Sequence, residues 1–366
     1  MDTTSFLEEL VSIPSVTSDV ANVNRCADRV RAEAESLGLH VFAETFEDGR
    51  TGLFVTTVPE KVVDLVLVAH MDVVPAADPS QFKPRREGDR LYGRGTTDCK
   101  ANVVCSLKAL AEIARDPSSH CTAGALFASD EETGGLTTSG LTERGYRARK
   151  AYVVLDAHSD YDIVVAQKGI LELTLTARGR GGHASQPWDF DNPIYKLSEG
   201  LLRLRDHVET KWRNSDGVDQ WHPSFAPCML RAGDAANQIP DTASATVNIR
   251  LTEKEKASDV IEEIRSITGC EISVLAESPC VAFDSSDPAM ALMKESISAR
   301  FPGEKVSFVR MNGATDARHL AVVGVPIAMT GTDGDGCHAV DEFAVLSSID
   351  DYAAICVDYA KRLKAL

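Results

Sequence analysis

Apolar residues fall into two kinds of pattern along the chain. At helical spacing, Phe6, Leu7, Leu10 and Val11 predict an opening helix, and a second amphipathic stretch runs over 20–37 until Gly38 stops it. Positions 62–69 read Val-Val-Asp-Leu-Val-Leu-Val-Ala, a nearly continuous β-branched and apolar run that predicts a strand buried on both faces of a mostly parallel sheet. It ends at His70. Comparable runs at 123–129, 151–155 and 322–329, with helical patterns at 103–115 and 349–363, predict an α/β core whose sheet carries helices on both faces.

Between 171 and 283 the pattern changes. Strand-like stretches at 171–177, 229–232, 243–251 and 271–275 alternate with amphipathic helices at 194–208 and 257–267, in the order β-α-β-β-α-β. Core-type elements stand on both sides, which predicts an α+β domain over 171–283 inserted into a core domain made of 1–170 and 284–366. The length of 366 residues agrees with two domains at about 150 residues each.

Composition narrows the classes of function. With 43% apolar and 25% charged residues the chain is ordinary for a globular protein, so fibrous and disordered classes are excluded. A net charge of −17 argues against nucleic acid and anionic membrane surfaces as partners. No apolar run approaches the roughly 18 to 20 residues a membrane helix requires. The first twenty residues carry Asp2, Glu8, Glu9 and Asp19 but no Lys or Arg, unlike a secretory leader. Nine cysteines without a C-x-x-C pair predict reduced thiols, hence a cytoplasmic protein.

The chemistry gathers where the strands end. In an open α/β sheet the ligand crevice lies outside the carboxyl ends of the strands, and His70 with Asp72, Asp130 to Glu132, and Asp156 each stand just past such an end. Asp72 can orient the His70 imidazole, and of the pair Glu131-Glu132 one can ligate a cation while the other moves a proton. The loop Tyr92-Gly93-Arg94-Gly95-Thr96-Thr97-Asp98 lacks the spacing of a phosphate loop and presents a carboxylate instead. His338, between the last apolar strand and the final helix, is a candidate second histidine ligand. Taken singly, each residue also has a plain reading: a hydrogen-bonded strand-end histidine for His70, a solvated loop pair for the two glutamates. Together they form a nitrogen and oxygen set that suits two zinc ions, or manganese or cobalt. A nucleophile built on Cys99 or Cys337 is the weaker alternative.

The motifs His70-Met71-Asp72-Val73-Val74-Pro75, Gly93-Arg94-Gly95 to Asp98, Asp130-Glu131-Glu132-Thr133-Gly134-Gly135, Gly182-His183-Ala184-Ser185, Asn237-Gln238-Ile239-Pro240-Asp241 to Arg250, Gly313 to Arg318, and His338 occur in the order of one family. The chain resembles the dinuclear zinc exopeptidases and deacylases, which include glutamate carboxypeptidase, acetylornithine deacetylase, succinyl-diaminopimelate desuccinylase, aminoacylases and carnosinase-type dipeptidases. The resemblance implies that Asp98 bridges two zinc ions, with His70 and Asp156 on one and Glu132 and His338 on the other. Asp72 and Glu131 would be catalytic, Glu131 as general base. It implies that the inserted domain is a lid and dimerisation domain, that His183 serves the neighbouring subunit's site by stabilising the oxyanion, and that Asn237, Arg250 and Arg318 contact substrate. A cis peptide bond between Asp98 and Cys99 is implied as well.

The implied activity is hydrolysis of an amide bond near a free carboxylate in a small peptide or N-acyl amino acid by a homodimer. Asp156, where deacylases more often carry Glu, leans towards a dipeptidase or carboxypeptidase; the alternative is a deacylase of the acetylornithine or succinyl-diaminopimelate type. A non-catalytic peptide- or metal-binding relative is a remote alternative. Cys99 and Ala101 depart from the family's usual Met and Gly. Specificity would depend on loops such as 187–193 and 215–227.

Overall fold

The structure, a computed structural model, describes residues 1–157, 160–212 and 221–366, so part of the loop 215–227 lies outside the described residues. The chain divides into two compact units: Met1–Val165 with Phe283–Val309 and Thr315–Leu366, and Ala166–Ala282 with Arg310–Ala314. The short return of Arg310–Ala314 to the second unit has no counterpart in the hydropathy pattern.

In the first unit, four parallel strands make the centre of the sheet, in the order Ala123–Ala128, Val62–His70, Arg147–Leu155 and Ile327–Thr330. Outside them the hairpin His40–Thr45 and Thr51–Thr56 adds antiparallel strands beside Ala123–Ala128, and Val164 meets Met329 antiparallel at the other side. Alternation within the central strand divides its side chains between two layers. Leu65, Leu67 and Ala69 join a core with Phe6, Leu10, Val30, Leu107, Leu110 and Tyr359 from the helices Thr3–Val11, Val20–Ser36, Ala101–Arg115 and Leu346–Leu363. Val66 and Val68 face the other way and are equally buried, on the side where the helix Leu136–Glu143 packs against the sheet. Continuous apolarity in the sequence thus reflects cover on both faces.

One predicted element changes. The run 322–329 is not one strand: Ala321–Val323 is a short 3-10 turn, Gly324 has φ +76°, and the strand starts at Ile327. Pro326 lacks the N–H a ladder needs, and the left-handed glycine turns the chain before it.

The second unit has the order β-α-β-β-α-β. Its antiparallel sheet runs Ser224–Ala232, Thr242–Leu251, Gly169–Arg178, Glu271–Ser278. Leu171, Leu173, Leu175, Val247 and Ile249 pack on Leu197 and Leu204 of the helix Pro193–His207 and on Val260 and Ile264 of Ala257–Thr268. Both edge strands are largely exposed, with Met229 and Leu230 at the surface.

Leu67 is fully buried at the middle of the central parallel strand. Leu67→Ala is expected to cost about 2–5 kcal/mol, measured as a lowered unfolding midpoint in urea; a shift corresponding to less than 1 kcal/mol would contradict this placement of the core.

Candidate metal centre

Register explains why the ligand-type residues coincide. His70 lies opposite Ala128, and Val68 opposite Val154, so the strands Val62–His70, Ala123–Ala128 and Arg147–Leu155 finish within a residue or two of one another. The chain leaving each end carries Asp72, Glu131-Glu132 and Asp156 respectively.

His70 is buried and its ring is held from behind: Nδ1 lies 3.0 Å from the Asp72 carbonyl oxygen and 3.4 Å from Asp72 Oδ1. Nε2 faces forward, 2.9 Å from Asp98 Oδ1 and 3.6 Å from Asp156 Oδ1. Asp98 turns its other oxygen to the second histidine, with Oδ2 3.2 Å from His338 Nε2, and the same nitrogen is 3.1 Å from Glu132 Oε2. One carboxylate therefore stands between two imidazoles. The Asp98–Cys99 peptide bond is cis. Cys99 Sγ donates to the Leu155 carbonyl at 3.0 Å, and its sulfur is grouped with His70 and Asp156.

Asp72 does more than orient an imidazole. Its carboxylate accepts from Thr17 Oγ1 at 2.7 Å, from the Glu131 N–H at 3.1 Å and from the Glu132 N–H at 3.4 Å. It thus holds the turn that presents both glutamates. Glu131 Oε1 lies 3.7 Å from Arg318 Nη2, and both side chains are nearly buried. The carboxylate that Arg318 faces here is thus that of Glu131. Beside it, Thr138 donates to Asp316 Oδ2 at 2.5 Å and the His319 ring bonds the Gly134 carbonyl at 2.6 Å.

The electrostatics are those of crowded anions. Burial, with the Asp156 and Asp316 carboxylates nearby, pushes Glu131 well above the ordinary carboxylate range. Burial and Asp98 push Glu132 up to about 7, and burial raises Asp156. Asp98, like Asp72, goes the other way: burial acts to raise it, but hydrogen bonds with His338 and His70 hold it well below the usual range. Its own bond to His338 and the Glu132 charge lift that histidine to about 9 against a smaller effect of burial.

The other sequence-selected residues lie in the second unit. His183 sits on the two-residue strand Gly182–His183, which pairs with Gln238–Ile239, and the Ala184 N–H donates to the Asn237 carbonyl at 3.0 Å, so the unit itself brings His183 and Asn237 together. Arg250 stands near the end of Thr242–Leu251, opposite Ile170 and Ser224, and its Nε donates to Asn248 at 3.2 Å.

Thr17, Arg94, Asp316 and Glu342 were not marked as functional by the sequence. Arg94 and Glu342 are buried charges, and the available signal was that each sits inside a motif that also carries a ligand-type residue.

Residues 66–362 match the model of peptidase family M20/M25/M40. The chain belongs to that family. Among its relatives, the succinyl-diaminopimelate desuccinylase of Halorhodospira halophila is 26% identical over 99% of this chain and 98% of its own length. The fold is that of an M20 family metallo-carboxypeptidase from Sulfolobus solfataricus, with a TM-score of 0.83 at 17% identity, covering all of both chains. It also matches a Bacillus subtilis protein described as a dinuclear metal-binding peptidase of the M20 family, with a TM-score of 0.71 at 14% identity over 100% of this chain and 98% of that one.

Membership makes the chain a hydrolase, and the site has the makings of the metal centre that the family implies. Donor atoms of His70, Asp98 and Glu132 lie within 4.8 Å of one another, as do those of His70, Cys99 and Asp156. The His70 Nδ1 bond to Asp72 leaves Nε2 facing the carboxylates, the arrangement metal-ligating histidines adopt. Burial, with Asp98 nearby, raises both Glu132 and Asp156 even though His338 and His70 face them, and divalent cations would add positive charge where these carboxylates crowd. Among the described residues no helix is long and apolar enough to cross a membrane.

The Glu131-Glu132 turn depends on Gly135. Its φ is +70°, and a Cβ there would meet Asp316 Oδ1 at 1.9 Å. Gly135→Ala is expected to cost on the order of 1–3 kcal/mol and to lower turnover as the turn shifts. Thermal midpoint and turnover number check it, and no change in either would refute the steric argument.

Proposed function

We propose that this protein is a two-zinc amide hydrolase that cleaves a bond near a free carboxylate in a small substrate, with cobalt or manganese able to replace zinc. The observation that carries the reading is Asp98, whose two oxygens face different histidines, 2.9 Å from His70 and 3.2 Å from His338. Asp156 would complete the His70 position and Glu132 the His338 position. Divalent cations held there supply Lewis acidity, which polarises a carbonyl and acidifies water.

The remaining work falls to the chain's own residues. Glu131, held by Asp72 through its backbone and faced by Arg318, takes the proton of the attacking water on a carboxylate oxygen and returns it to the leaving nitrogen. A base raised by burial holds that proton long enough to deliver it. Arg318 Nη2 keeps the Glu131 carboxylate oriented. Arg250, with its planar fork, would grip a substrate carboxylate, and Asn237 would contact substrate beside His183.

For the substrate, Asp156 supports a peptidase of the dipeptidase or carboxypeptidase kind. A second reading, an N-acyl amino acid deacylase, is favoured by the desuccinylase relatives that match the full length of the chain. Dipeptides and N-acetyl, N-succinyl and N-formyl amino acids, each assayed with zinc, cobalt and manganese, distinguish the two. The nine unpaired cysteines suit a reducing, cytoplasmic setting.

Glu131→Gln is expected to lower turnover by several orders of magnitude while leaving two metal equivalents per chain, because the residue moves protons without ligating. Asp98→Ala is expected to lose both equivalents together. Elemental analysis of the purified variants checks both statements; a Glu131→Gln protein stripped of metal, or an Asp98→Ala protein holding one full equivalent, refutes the assignment concerned.

The exposed edge strands of the second unit suit a homodimer. His183 would act on the partner subunit's substrate, donating to the oxygen that becomes negative during attack. Such a donor is worth on the order of 100-fold or more in turnover. His183→Ala subunits mixed with Glu131→Ala subunits should therefore recover part of the lost activity, since a heterodimer holds one intact combination. No recovery after verified subunit exchange would place the action of His183 within its own chain.

A further inference from the structure

The His70 and Asp156 positions are fixed by the sheet, because His70 ends one of two adjacent parallel strands and Asp156 directly follows the end of the other. His338 has no such support. It lies in the loop between the short strands Gly334–Asp335 and Phe343–Val345, with φ +65°, a left-handed conformation unfavourable for a residue with a Cβ. Something other than the sheet must set its distance from Asp98.

The two loops meet through a ladder and a buried ion pair. Phe343–Val345 pairs with Arg90–Tyr92, Phe343 opposite Tyr92, and beyond that pair the Gly93 N–H donates to the Glu342 carbonyl at 3.0 Å. Arg94 and Glu342 therefore emerge side by side, 248 residues apart in sequence, and both are almost fully buried. Arg94 Nη1 donates to Glu342 Oε2 at 2.5 Å and its Nη2 to the His338 carbonyl at 2.9 Å. Glu342 Oε1 accepts from the Thr97 and Asp98 N–H groups at 3.2 and 3.3 Å. Gln81, whose carbonyl accepts from the Arg94 N–H at 2.8 Å, donates through Nε2 to the Ala339 carbonyl at 3.1 Å.

We infer that Arg94 and Glu342 are positioning residues that set the spacing between Asp98 and His338, so that the His338–Glu132 metal position, whose histidine the pair also holds, depends on it far more than the His70–Asp156 position, which shares only Asp98 with it. Each partner reaches the backbone of one ligand: the guanidinium holds His338 by its carbonyl, the carboxylate holds Asp98 by its N–H, and the ion pair joins them. Lysine cannot replace Arg94, because a single ammonium lacks the planar fork that serves Glu342 and His338 together. The inference rests on the two-metal reading.

Removing one partner leaves a buried charge and threatens folding, whereas replacing both with apolar residues is often neutral for stability. The decisive variant is therefore Arg94→Met/Glu342→Leu, studied as the full chain. Apo protein titrated calorimetrically with zinc, together with zinc content after dialysis and the thermal midpoint of the apo form, gives the readouts. The expected result is a wild-type-like midpoint, a first zinc bound within threefold of the wild-type affinity, and a second weakened at least tenfold, on the order of the effect seen when residues supporting metal ligands are removed. With Arg94→Lys the second zinc should be weakened in the same way. Two zinc ions bound with unchanged affinity would overturn the inference. Equal weakening of both would show that the pair does not act on one position, and a double variant that fails to fold would show that it supports the fold and not the ligands; either overturns it as well. Wild-type protein that binds fewer than two zinc ions would instead refute the two-metal reading itself.

Discussion

Carboxylates are expensive to bury, and this protein buries several of them at one edge of a parallel sheet. Each must receive hydrogen bonds or opposite charge, since an unpaired buried charge costs several kcal/mol. The structure meets that demand by assigning donors one by one: Thr17 and two backbone N–H groups for Asp72, the Thr137 N–H for Asp130, Arg94 for Glu342, and Thr138 for Asp316. Asp130 thereby also satisfies an N–H in the first turn of the helix Leu136–Glu143 that covers one face of the sheet. Local secondary structure and site electrostatics are thus settled by the same bonds. Glu131, Glu132 and Asp156 face forward and crowd together, with Arg318, His338 and His70 as their cationic neighbours, and divalent cations would relieve that crowding.

The parallel core and the place of its ligand-type residues were legible in the sequence because burial on both faces writes an uninterrupted apolar run, and a polar residue that ends such a run stands out. His70 and Asp156 are read in that way, as is the β-α-β-β-α-β order of the second unit, where strict alternation marks Leu171, Leu173 and Leu175. The hairpin His40–Thr45 and Thr51–Thr56 was not read, since its first strand is half-exposed and carries no continuous run. At 322–329 hydrophobicity alone suggested a strand where Gly324 and Pro326 enforce a turn.

Site residues escaped the sequence where their meaning depends on a distant partner. Arg94 and Glu342 are each unremarkable beside their neighbours, and only the pairing of Phe343 with Tyr92 brings them into contact. Arg318 was recognisable as an arginine suited to a carboxylate, yet which carboxylate it meets is a matter of tertiary geometry, and here it is that of Glu131. Lys100, fully buried two residues after Asp98, donates to the carbonyls of Leu10 and Ile13 at 2.9 Å and so fastens the end of the first helix beneath the Asp98 loop. Nothing in local composition announces that a lysine there faces inwards.

The order of the ligand-type residues along the chain has its own consequence for synthesis. Four of the five ligand-type residues lie between 70 and 156, and the fifth, His338, follows the whole second unit. A nascent chain emerging from the ribosome therefore presents His70, Asp98, Glu132 and Asp156 long before the second imidazole is available, and the strand that carries its loop into register, Phe343–Val345, emerges later still. A product truncated before that strand lacks the closing side of the centre. The arrangement of Asp98 between two imidazoles is thus acquired late, only after the whole second unit has been synthesised.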